Sequence, residues 1–236
     1  MPSSVQRPAG KATCLAIDND FRNAGYDQDR EQKENMLLDI EDSQLVLVDY
    51  QSRMMPAIFE AEKVLANAVL LGHIARTLEV PTLGTEQNPA GLGENDARIK
   101  ALCQRTLAKM QFNACADGLL ELLRPTPKPQ GGNARSLPKH LQKAVPQAVQ
   151  TANTIVIAGC EAHVCLLQTA LALLEEEFDV WVVTDACSSR TERNRDAAFD
   201  RLAGAGAELV STEMVAFEWL GGADHPQFKE VLALLK

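Results

Sequence analysis

Six short apolar runs along the chain predict buried β-strands. Most are rich in Val, Ile and Leu, and each is bounded by polar residues, Gly or Pro, which is typical of strands in a parallel sheet. The clearest are 45–48 and 154–159, which hold almost no polar side chains. The other predicted strands are 80–85, 107–112, 180–184 and 207–211.

Between these runs, apolar residues recur at helical spacing and predict amphipathic helices. The longest is 56–78, and further helices are predicted at 117–123, 139–152, 164–177, 190–205 and 228–235. Strands that alternate with helices predict an α/β fold, with a doubly wound, mainly parallel sheet flanked by helices on both faces. In such a sheet, ligands bind at the edge where the carboxyl ends of the strands meet.

The beginning of the chain differs in composition from the rest. Residues 1–37 mix Pro, Gly, Ser, Asn and charged residues with little apolar periodicity, and they predict a flexible N-terminal tail. Residues 38–236 are then expected to form one domain. The segment 124–138 is rich in Pro and Gly, which predicts a loop inside that domain.

Charge and hydropathy limit the possible partners. The formal net charge is −9, which disfavours nucleic acids and anionic membranes because both bind basic patches. No apolar run is long enough to cross a bilayer, and the N-terminus lacks a signal-peptide pattern. We therefore expect a cytoplasmic protein that acts on a small molecule, with no nucleic-acid and no membrane partner.

Three residues near predicted strand ends are candidates for catalysis. Asp49 ends the first strand, Cys165 follows the strand 154–159 at the start of a helix, and Lys109 lies on the third strand. A thiol at a helix start can ionise, a carboxylate can take its proton, and an ammonium can hold the resulting thiolate. On this basis a lowered pKa is expected for the Cys165 thiol.

Position alone leaves a structural interpretation open for each candidate. Cys165 can be an inert buried thiol like most of the six cysteines, and Asp49 can begin a solvated loop. Lys109 can be an ordinary surface charge. His163, two residues before Cys165, is interpreted as a structural hydrogen-bonding residue rather than the base.

Five ordered motifs resemble the isochorismatase-like superfamily of cysteine hydrolases, in the branch of isochorismatase-domain proteins and YcaC-type hydrolases. The resemblance covers about residues 38–220. In chain order the motifs are VLVDYQ at 46–51, TEQNP with GLG at 85–93, K-x-x-F at 109–112, GCEAHVC at 159–165, and the landmarks at 184–190, 205–207 and 212–213.

The resemblance implies a catalytic triad of Asp49, Lys109 and Cys165. It also implies an oxyanion hole formed by the backbone N–H groups of Glu161 and Cys165, with a non-proline cis peptide bond just before Glu161. Gln51 and Glu86 lie in two of the motifs and are candidate residues of the pocket.

The sequence also departs from one branch of this superfamily. Nicotinamidases bind a metal through histidines after the second strand, and residues 86–88 here read Glu-Gln-Asn. We therefore expect neither a catalytic metal nor another cofactor. The predicted function is a metal-independent hydrolase that cleaves a small amide-like substrate through a thioester. The alternatives are vinyl-ether hydrolysis of an isochorismate-like substrate, or a non-catalytic binding or scaffold protein.

A homo-oligomer is the last expectation, since the relatives implied by the resemblance commonly assemble. An apolar cluster follows the final predicted strand, and such side chains are enriched in interface cores. Its members are Met214, Val215, Phe217, Trp219 and Leu220. The alternative is that this cluster packs against the core of its own chain.

Overall fold

The computed structural model describes residues 37–125 and 152–236. In these ranges six strands form one parallel sheet in the order β3-β2-β1-β4-β5-β6. The strands are β1 Ser43–Val48, β2 Thr82–Gln87, β3 Arg105–Lys109, β4 Thr154–Gly159, β5 Asp179–Val183 and β6 Glu208–Val210. The predicted parallel sheet is confirmed.

Eight α-helices connect or follow the strands in the described ranges. They are α1 Ala61–Thr77, α2 Pro89–Leu92, α3 Ala97–Lys100, α4 Leu119–Leu123, α5 Leu167–Glu175, α6 Glu192–Gly204, α7 Thr212–Leu220 and α8 Phe228–Leu234. Helix α1 packs with α3, α7 and α8, while α5 packs with α6. Two separate groups of helices around one parallel sheet confirm the doubly wound α/β fold.

The three central strands carry the core. Every residue of β1, β2 and β4 is buried, as expected for parallel strands covered on both faces. Strand β3 lies at the edge of the sheet and is largely exposed. Its weak apolar pattern explains why the prediction of 107–112 missed its observed bounds, which end at Lys109.

The order of the strands reverses around β1. Strand β2 follows on one side of it, whereas the second half of the sheet begins with β4 on the other side. Val48 at the end of β1 pairs with Gly159 at the end of β4. In open α/β sheets, ligands bind at such a reversal point, outside the carboxyl ends of the strands.

The apolar cluster at 214–220 divides between the two faces of α7. Val215, Trp219 and Leu220 are buried, and the Trp219 indole N–H donates a 3.0 Å hydrogen bond to Ser43 Oγ. Met214 and Phe217 are exposed. Val215, Trp219 and Leu220 therefore belong to the core of their own chain. Of this cluster, only Met214 and Phe217 are exposed for contact with another molecule.

Several predictions concern residues outside the described ranges. These are the tail at 1–37 apart from residue 37, the loop at 124–138 beyond residue 125, and the helix at 139–152 apart from residue 152. The boundary of the domain thus stays a prediction. No helix in the described ranges is long and apolar enough to cross a membrane. The expected cytoplasmic location likewise stays a prediction.

Candidate active site

Asp49 and Lys109 meet at the carboxyl edge of the sheet. The Lys109 Nζ atom lies 2.8 Å from Asp49 Oδ2, and both side chains are 0% exposed. Asp49 is the first residue after β1, where a positive φ of 55° turns the chain out of the sheet. Lys109 is the last residue of β3, two strands away. Strand ends far apart in sequence thus place opposite charges side by side.

The two oxygens of the Asp49 carboxylate have different surroundings. Oδ1 accepts a 2.7 Å hydrogen bond from Thr85 Oγ1. Oδ2 lies close to the Lys109 ammonium but is buried without a hydrogen bond of good geometry, so the contact is an ion pair without a directed N–H bond. This oxygen consequently remains able to accept a proton.

The Lys109 ammonium is surrounded by acceptors. It donates a 2.7 Å hydrogen bond to Gln87 Oε1 and longer ones, of 3.3 and 3.4 Å, to the carbonyl oxygens of Phe112 and Gln111. Paired Cα positions in the β2–β3 ladder put Gln87 beside Lys109. A buried charge is tolerated when it is paired and hydrogen-bonded in this way.

Cys165 joins this group from the far side of β1. It lies in a π-helical turn, Ala162–Leu166, that precedes α5, and it is 3% exposed. Its Sγ atom lies 3.9 Å from Gln87 Oε1. The Asp49 carboxylate and the Lys109 ammonium are close enough to act on the pKa of the thiol, in opposite directions. The three candidates from the sequence are therefore brought together.

The expected lowering of the thiol pKa is wrong. Burial, followed by the nearby Asp49 carboxylate, raises the pKa of the Cys165 thiol to about 12, and the Lys109 ammonium offsets only part of the increase. Desolvation disfavours the charged thiolate, and the effect of the helix start is insufficient at the fourth residue of the turn. The resting thiol is thus protonated at neutral pH.

Sequence reasoning missed two residues of this site, Thr85 and Gln87. They belong to β2, where alternate side chains point to the same face of the sheet. One binds Asp49 and the other binds Lys109. Polar side chains at alternating positions in a buried strand were the signal that could have found them.

The two candidate pocket residues have other contacts. Glu86 points to the opposite face of β2 and accepts a 2.8 Å hydrogen bond from the Asn95 backbone N–H. Gln51 binds the backbone of Gln87 through both ends of its amide group. The structure does not bring Glu86 to the triad, and Gln51 reaches it only through Gln87.

Glu161 lies where the chain leaves β4. Its φ of 54° reverses the backbone direction, and the Cys160–Glu161 bond is trans, since the described residues contain no cis peptide bond. The expected cis bond is thus wrong, and the left-handed conformation makes the turn instead. The following N–H group, of Ala162, donates to the Ser188 carbonyl, whereas the described residues show no backbone acceptor for the Glu161 N–H.

The Glu161 side chain points away into a polar cluster. Its Oε1 lies 2.7 Å from Arg190 Nε, and its Oε2 lies 3.4 Å from His163 Nδ1. The His163 ring also contacts Ser189 Oγ at 3.0 Å and Asn194 Nδ2 at 3.3 Å. These contacts agree with a structural role for His163 and leave Asp49 as the carboxylate beside the thiol.

The described ranges contain no cluster of three or more His, Cys, Asp or Glu side chains that could hold a metal ion. The expectation of a metal-independent reaction stays a prediction.

Asp49, Lys109 and Cys165 lie together where the strand order of a parallel α/β sheet reverses. This combination is typical of an α/β protein with a cysteine active site. The family model described as isochorismatase domain matches residues 43–214. The chain belongs to the isochorismatase family of hydrolases.

Curated relatives include isochorismatase domain-containing protein 2 from several vertebrates. The human protein is 33% identical over 194 residues, which cover 82% of this chain and 83% of that protein. The Xenopus laevis protein is 32% identical over 193 residues, which cover 82% of this chain and 83% of that protein.

Solved structures show the same fold. A protein described as MAR1 ribonuclease from Caenorhabditis elegans is 30% identical with a TM-score of 0.71, over 84% of this chain and 92% of that one. YcaC from Escherichia coli, described as an octameric hydrolase of unknown specificity, is 27% identical with a TM-score of 0.67, over 86% and 89%. YcaC from Pseudomonas aeruginosa, solved with covalent acrylamide, is 25% identical with a TM-score of 0.67, over 84% and 91%.

Proposed function

We propose that this protein is a metal-independent cysteine hydrolase that cleaves a small amide-like substrate through a covalent thioester. The observation that carries the proposal is the buried contact between Asp49 and Lys109 beside the Cys165 thiol. An ion pair with only a structural role does not require a thiol beside it. An inert buried thiol likewise does not require a neighbouring carboxylate oxygen that lacks a hydrogen-bond donor. The three groups together match the requirements of nucleophilic catalysis.

The first half of the reaction forms the thioester. Asp49 Oδ2 accepts the thiol proton as Sγ attacks the substrate carbonyl carbon. The carbonyl oxygen becomes negative and accepts hydrogen bonds from the backbone N–H groups proposed for the oxyanion hole, those of Glu161 and Cys165. When the C–N bond breaks, the amine leaves with the proton that Asp49 held.

The second half releases the acid. A water molecule attacks the thioester carbonyl, and Asp49 accepts a proton from it. The C–S bond then breaks, the sulfur recovers the proton from Asp49, and the carboxylic acid departs. The sum is hydrolysis of one amide to one acid and one amine, with the protein unchanged.

Lys109 keeps the proton transfer electrically balanced. Before the transfer the ammonium is paired with the Asp49 carboxylate, and after it the ammonium is paired with the Cys165 thiolate. The net charge of the buried group is the same in both states, so no new charge has to be desolvated. A thiol with a pKa of about 12 can therefore act as a nucleophile only while Asp49 takes its proton.

The relatives support a reactive nucleophile in this fold. The Pseudomonas aeruginosa YcaC structure contains covalent acrylamide, and the Escherichia coli protein is described as a hydrolase. The Caenorhabditis elegans protein is described as a ribonuclease, but the net charge of −9 on this chain disfavours RNA as its substrate. Vinyl-ether hydrolysis and a non-catalytic role remain the alternatives to the amide reaction.

The Cys165→Ala variant tests the proposed nucleophile. We expect it to fold like the wild type and to lose turnover of any substrate found in a panel of small amides, ureides and isochorismate. Intact mass after rapid quenching of the wild type should show an acyl adduct on Cys165. The matched control is Cys115→Ala, since Cys115 is half-buried outside the triad and its thiol contacts Thr169 O.

The outcomes distinguish the alternatives. Substantial turnover by folded Cys165→Ala would refute the cysteine mechanism. Turnover of isochorismate alone, without an adduct, would favour vinyl-ether hydrolysis. Degradation of an RNA oligomer that is lost in Cys165→Ala would assign a ribonuclease activity instead.

We also propose that the protein is a homo-oligomer with a subunit contact near the active site. Two exposed apolar pairs support this, namely Met110 with Phe112 directly after Lys109, and Met214 with Phe217 on α7. Met and aromatic side chains are enriched in the cores of protein interfaces. The octameric state described for YcaC of Escherichia coli provides a precedent.

A further inference from the structure

The side-chain amide of Gln87 has only one orientation that satisfies its neighbours. One end lies 2.7 Å from the carbonyl oxygen of Met110, which can only accept, so this end is Nε2. The other end lies 2.7 Å from Lys109 Nζ, which can only donate, so it is Oε1. The amide oxygen is consequently directed at the ammonium and at the Cys165 thiol, 3.9 Å away.

The backbone of Gln87 is fixed from the opposite side. The Gln51 amide donates from Nε2 to the Gln87 carbonyl and accepts from the Gln87 N–H at Oε1, both at 2.9 Å. The β1–β2 ladder ends at the pairing of Val48 with Thr85, since the positive φ of Asp49 turns β1 away. The Gln51 side chain thus supplies the two hydrogen bonds that β1 no longer gives to β2.

We propose that Gln87 is a positioning residue of the triad, and that its amide oxygen is a shared acceptor for the Lys109 ammonium and the resting Cys165 thiol. This inference rests on the proposed function of Cys165 as nucleophile. With one oxygen between them, the ammonium and the thiol stay side by side next to Asp49. When the thiol proton moves to Asp49, the sulfur no longer donates to Gln87, and Lys109 is already positioned to pair with it.

The charge state of the Cys165 thiol depends on the groups that surround it. The titratable or charged groups that act on Cys165 are Asp49 after β1, Lys109 on β3 and the buried Cys160 thiol after β4. The Gln87 oxygen adds to the groups that favour the neutral thiol, because it accepts an S–H bond and carries partial negative charge. Its removal should therefore ease ionisation, and a full negative charge at the same position should oppose it.

The experiment compares Gln87→Met and Gln87→Glu by alkylation with iodoacetamide at pH 9, followed as the mass of the Cys165 peptide. We expect Gln87→Met to react about tenfold faster than the wild type, which corresponds to a fall of about one unit in the thiol pKa. We expect Gln87→Glu to react at least several-fold more slowly. Gln104→Met is the matched control. Gln104 is exposed and lies just before β3, at the opposite end of that strand from Lys109, so Cys165 of this variant should be alkylated at the wild-type rate.

Opposite responses of the two variants separate positioning from loosened packing. If Gln87 only supports the fold, both substitutions expose the thiol and both accelerate alkylation, which would overturn the proposal. Equal alkylation rates in the wild type, Gln87→Met and Gln87→Glu would overturn it as well. Gln51→Leu is the second test, since it removes both bonds to the Gln87 backbone. It should accelerate alkylation less than Gln87→Met does. A wild-type rate in folded Gln51→Leu would mean that Gln51 does not hold the Gln87 amide in place.

Turnover adds an independent measurement. On a substrate identified from the panel, Gln87→Met should lower kcat about tenfold with little change in KM, because Gln87 touches the triad rather than the substrate. A change confined to KM would make it a substrate-binding residue and overturn the proposal. If Cys165→Ala retains turnover, the proposed function fails, whereas the alkylation pattern still reports whether Gln87 controls the thiol.

Discussion

At the scale of single residues, the candidate site contains a thiol that is protonated at neutral pH. Burial and the Asp49 carboxylate raise the pKa of the Cys165 thiol to about 12, while Lys109 acts in the opposite direction. The thiolate fraction at pH 7 is therefore very small, and in the proposed mechanism the sulfur attacks the substrate only as Asp49 takes its proton. Such a thiol is protected from casual oxidation or alkylation in the absence of substrate.

The substitution Asp49→Asn should separate ionisation of the thiol from catalysis. Removing the carboxylate charge lowers the thiol pKa, so alkylation of Cys165 by iodoacetamide between pH 7 and 9 should become faster than in the wild type. Turnover should fall about 100-fold or more, because the base is lost. Peptide mass spectrometry and steady-state kinetics measure the two effects.

The control is Asp200→Asn, a substitution of an exposed carboxylate on α6. It should change neither rate. For the wild type, the alkylation rate should rise about tenfold per pH unit without a plateau between pH 7 and 10, since the pKa lies above that range. A plateau near pH 8.5, the value of a free thiol, would contradict the buried environment of Cys165.

The sequence predicted which candidate residues lie together better than it predicted their chemistry. Asp49 and Cys165 could be chosen because apolar runs show where β1 and β4 end. Lys109 lay inside the predicted strand 107–112 and was supported mainly by the K-x-x-F motif. The sign of the Cys165 pKa shift could not, since desolvation depends on how deeply the helices cover the thiol. Gln87 was missed because the alternation of side chains along β2 shows only which face it lies on, and its partners Lys109 and Cys165 are distant in the sequence.

At the scale of elements, the close contact between β1 and β4 holds the two halves of the site together. Gly159 lies against Val48, and a Cβ atom at Gly159 would come within 2.5 Å of the Val48 Cβ and 2.7 Å of its carbonyl oxygen. Real Cβ atoms do not approach so closely, so a larger residue must push the strands apart. Asp49 follows one of these strands and Glu161 follows the other within two residues.

Gly159→Ala should therefore lower both stability and activity. Overpacking between two central strands costs about 1–3 kcal/mol of unfolding free energy, and the displaced strand ends would separate Asp49 from the π-helical turn. Urea unfolding followed by circular dichroism gives the first effect, and the rate on the panel substrate gives the second.

Gly204→Ala is the matched comparison. Gly204 is the last residue of α6, and a Cβ there meets no atom within 4 Å. It should be neutral or stabilising by up to about 1 kcal/mol, since Ala favours helices over Gly. Equal stability of the two variants would show that the strands can move apart without cost.

Elements with strong apolar patterns were predicted well, and those at the edges less so. The strand at 154–159 matches Thr154–Gly159, because a fully buried strand has an unbroken apolar sequence. The long helix was predicted from residue 56 but α1 begins at Ala61, because Pro56 lies in a short 3-10 turn, Met55–Ala57. The π-helical turn before α5 has no counterpart in apolar periodicity, so a single continuous helix was predicted there.

At the scale of the whole molecule, assembly of several copies is the main expectation still open. Light scattering of the full chain at micromolar concentration should give a multiple of 25.7 kDa. Phe217→Glu should shift the mass toward a single copy, because it places a charge in the proposed contact surface. Leu234→Glu is the control, since Leu234 is an exposed apolar residue on α8 that belongs to neither apolar pair.

The masses of the wild type and of Phe217→Glu can each contradict this expectation. A mass of one copy for the wild type would rule out the homo-oligomer at that concentration. An unchanged oligomer in Phe217→Glu would mean that α7 is not the contact surface. Trp219→Glu is not a suitable test, because Trp219 lies in the core and its substitution would unfold the chain.

The order of the strands also determines when the site can exist during folding. Asp49, Lys109 and Cys165 come from chain segments separated by more than fifty residues, and β1 pairs directly with β4 across more than one hundred. Closing such long loops is slow, because the entropy cost comes first. The hydrogen bonds between parallel strands stabilise the chain only after both strands are in register. A fragment that lacks either β1 or β4 cannot bring Asp49, Lys109 and Cys165 together, and any catalytic activity should appear only after these two strands have paired during refolding.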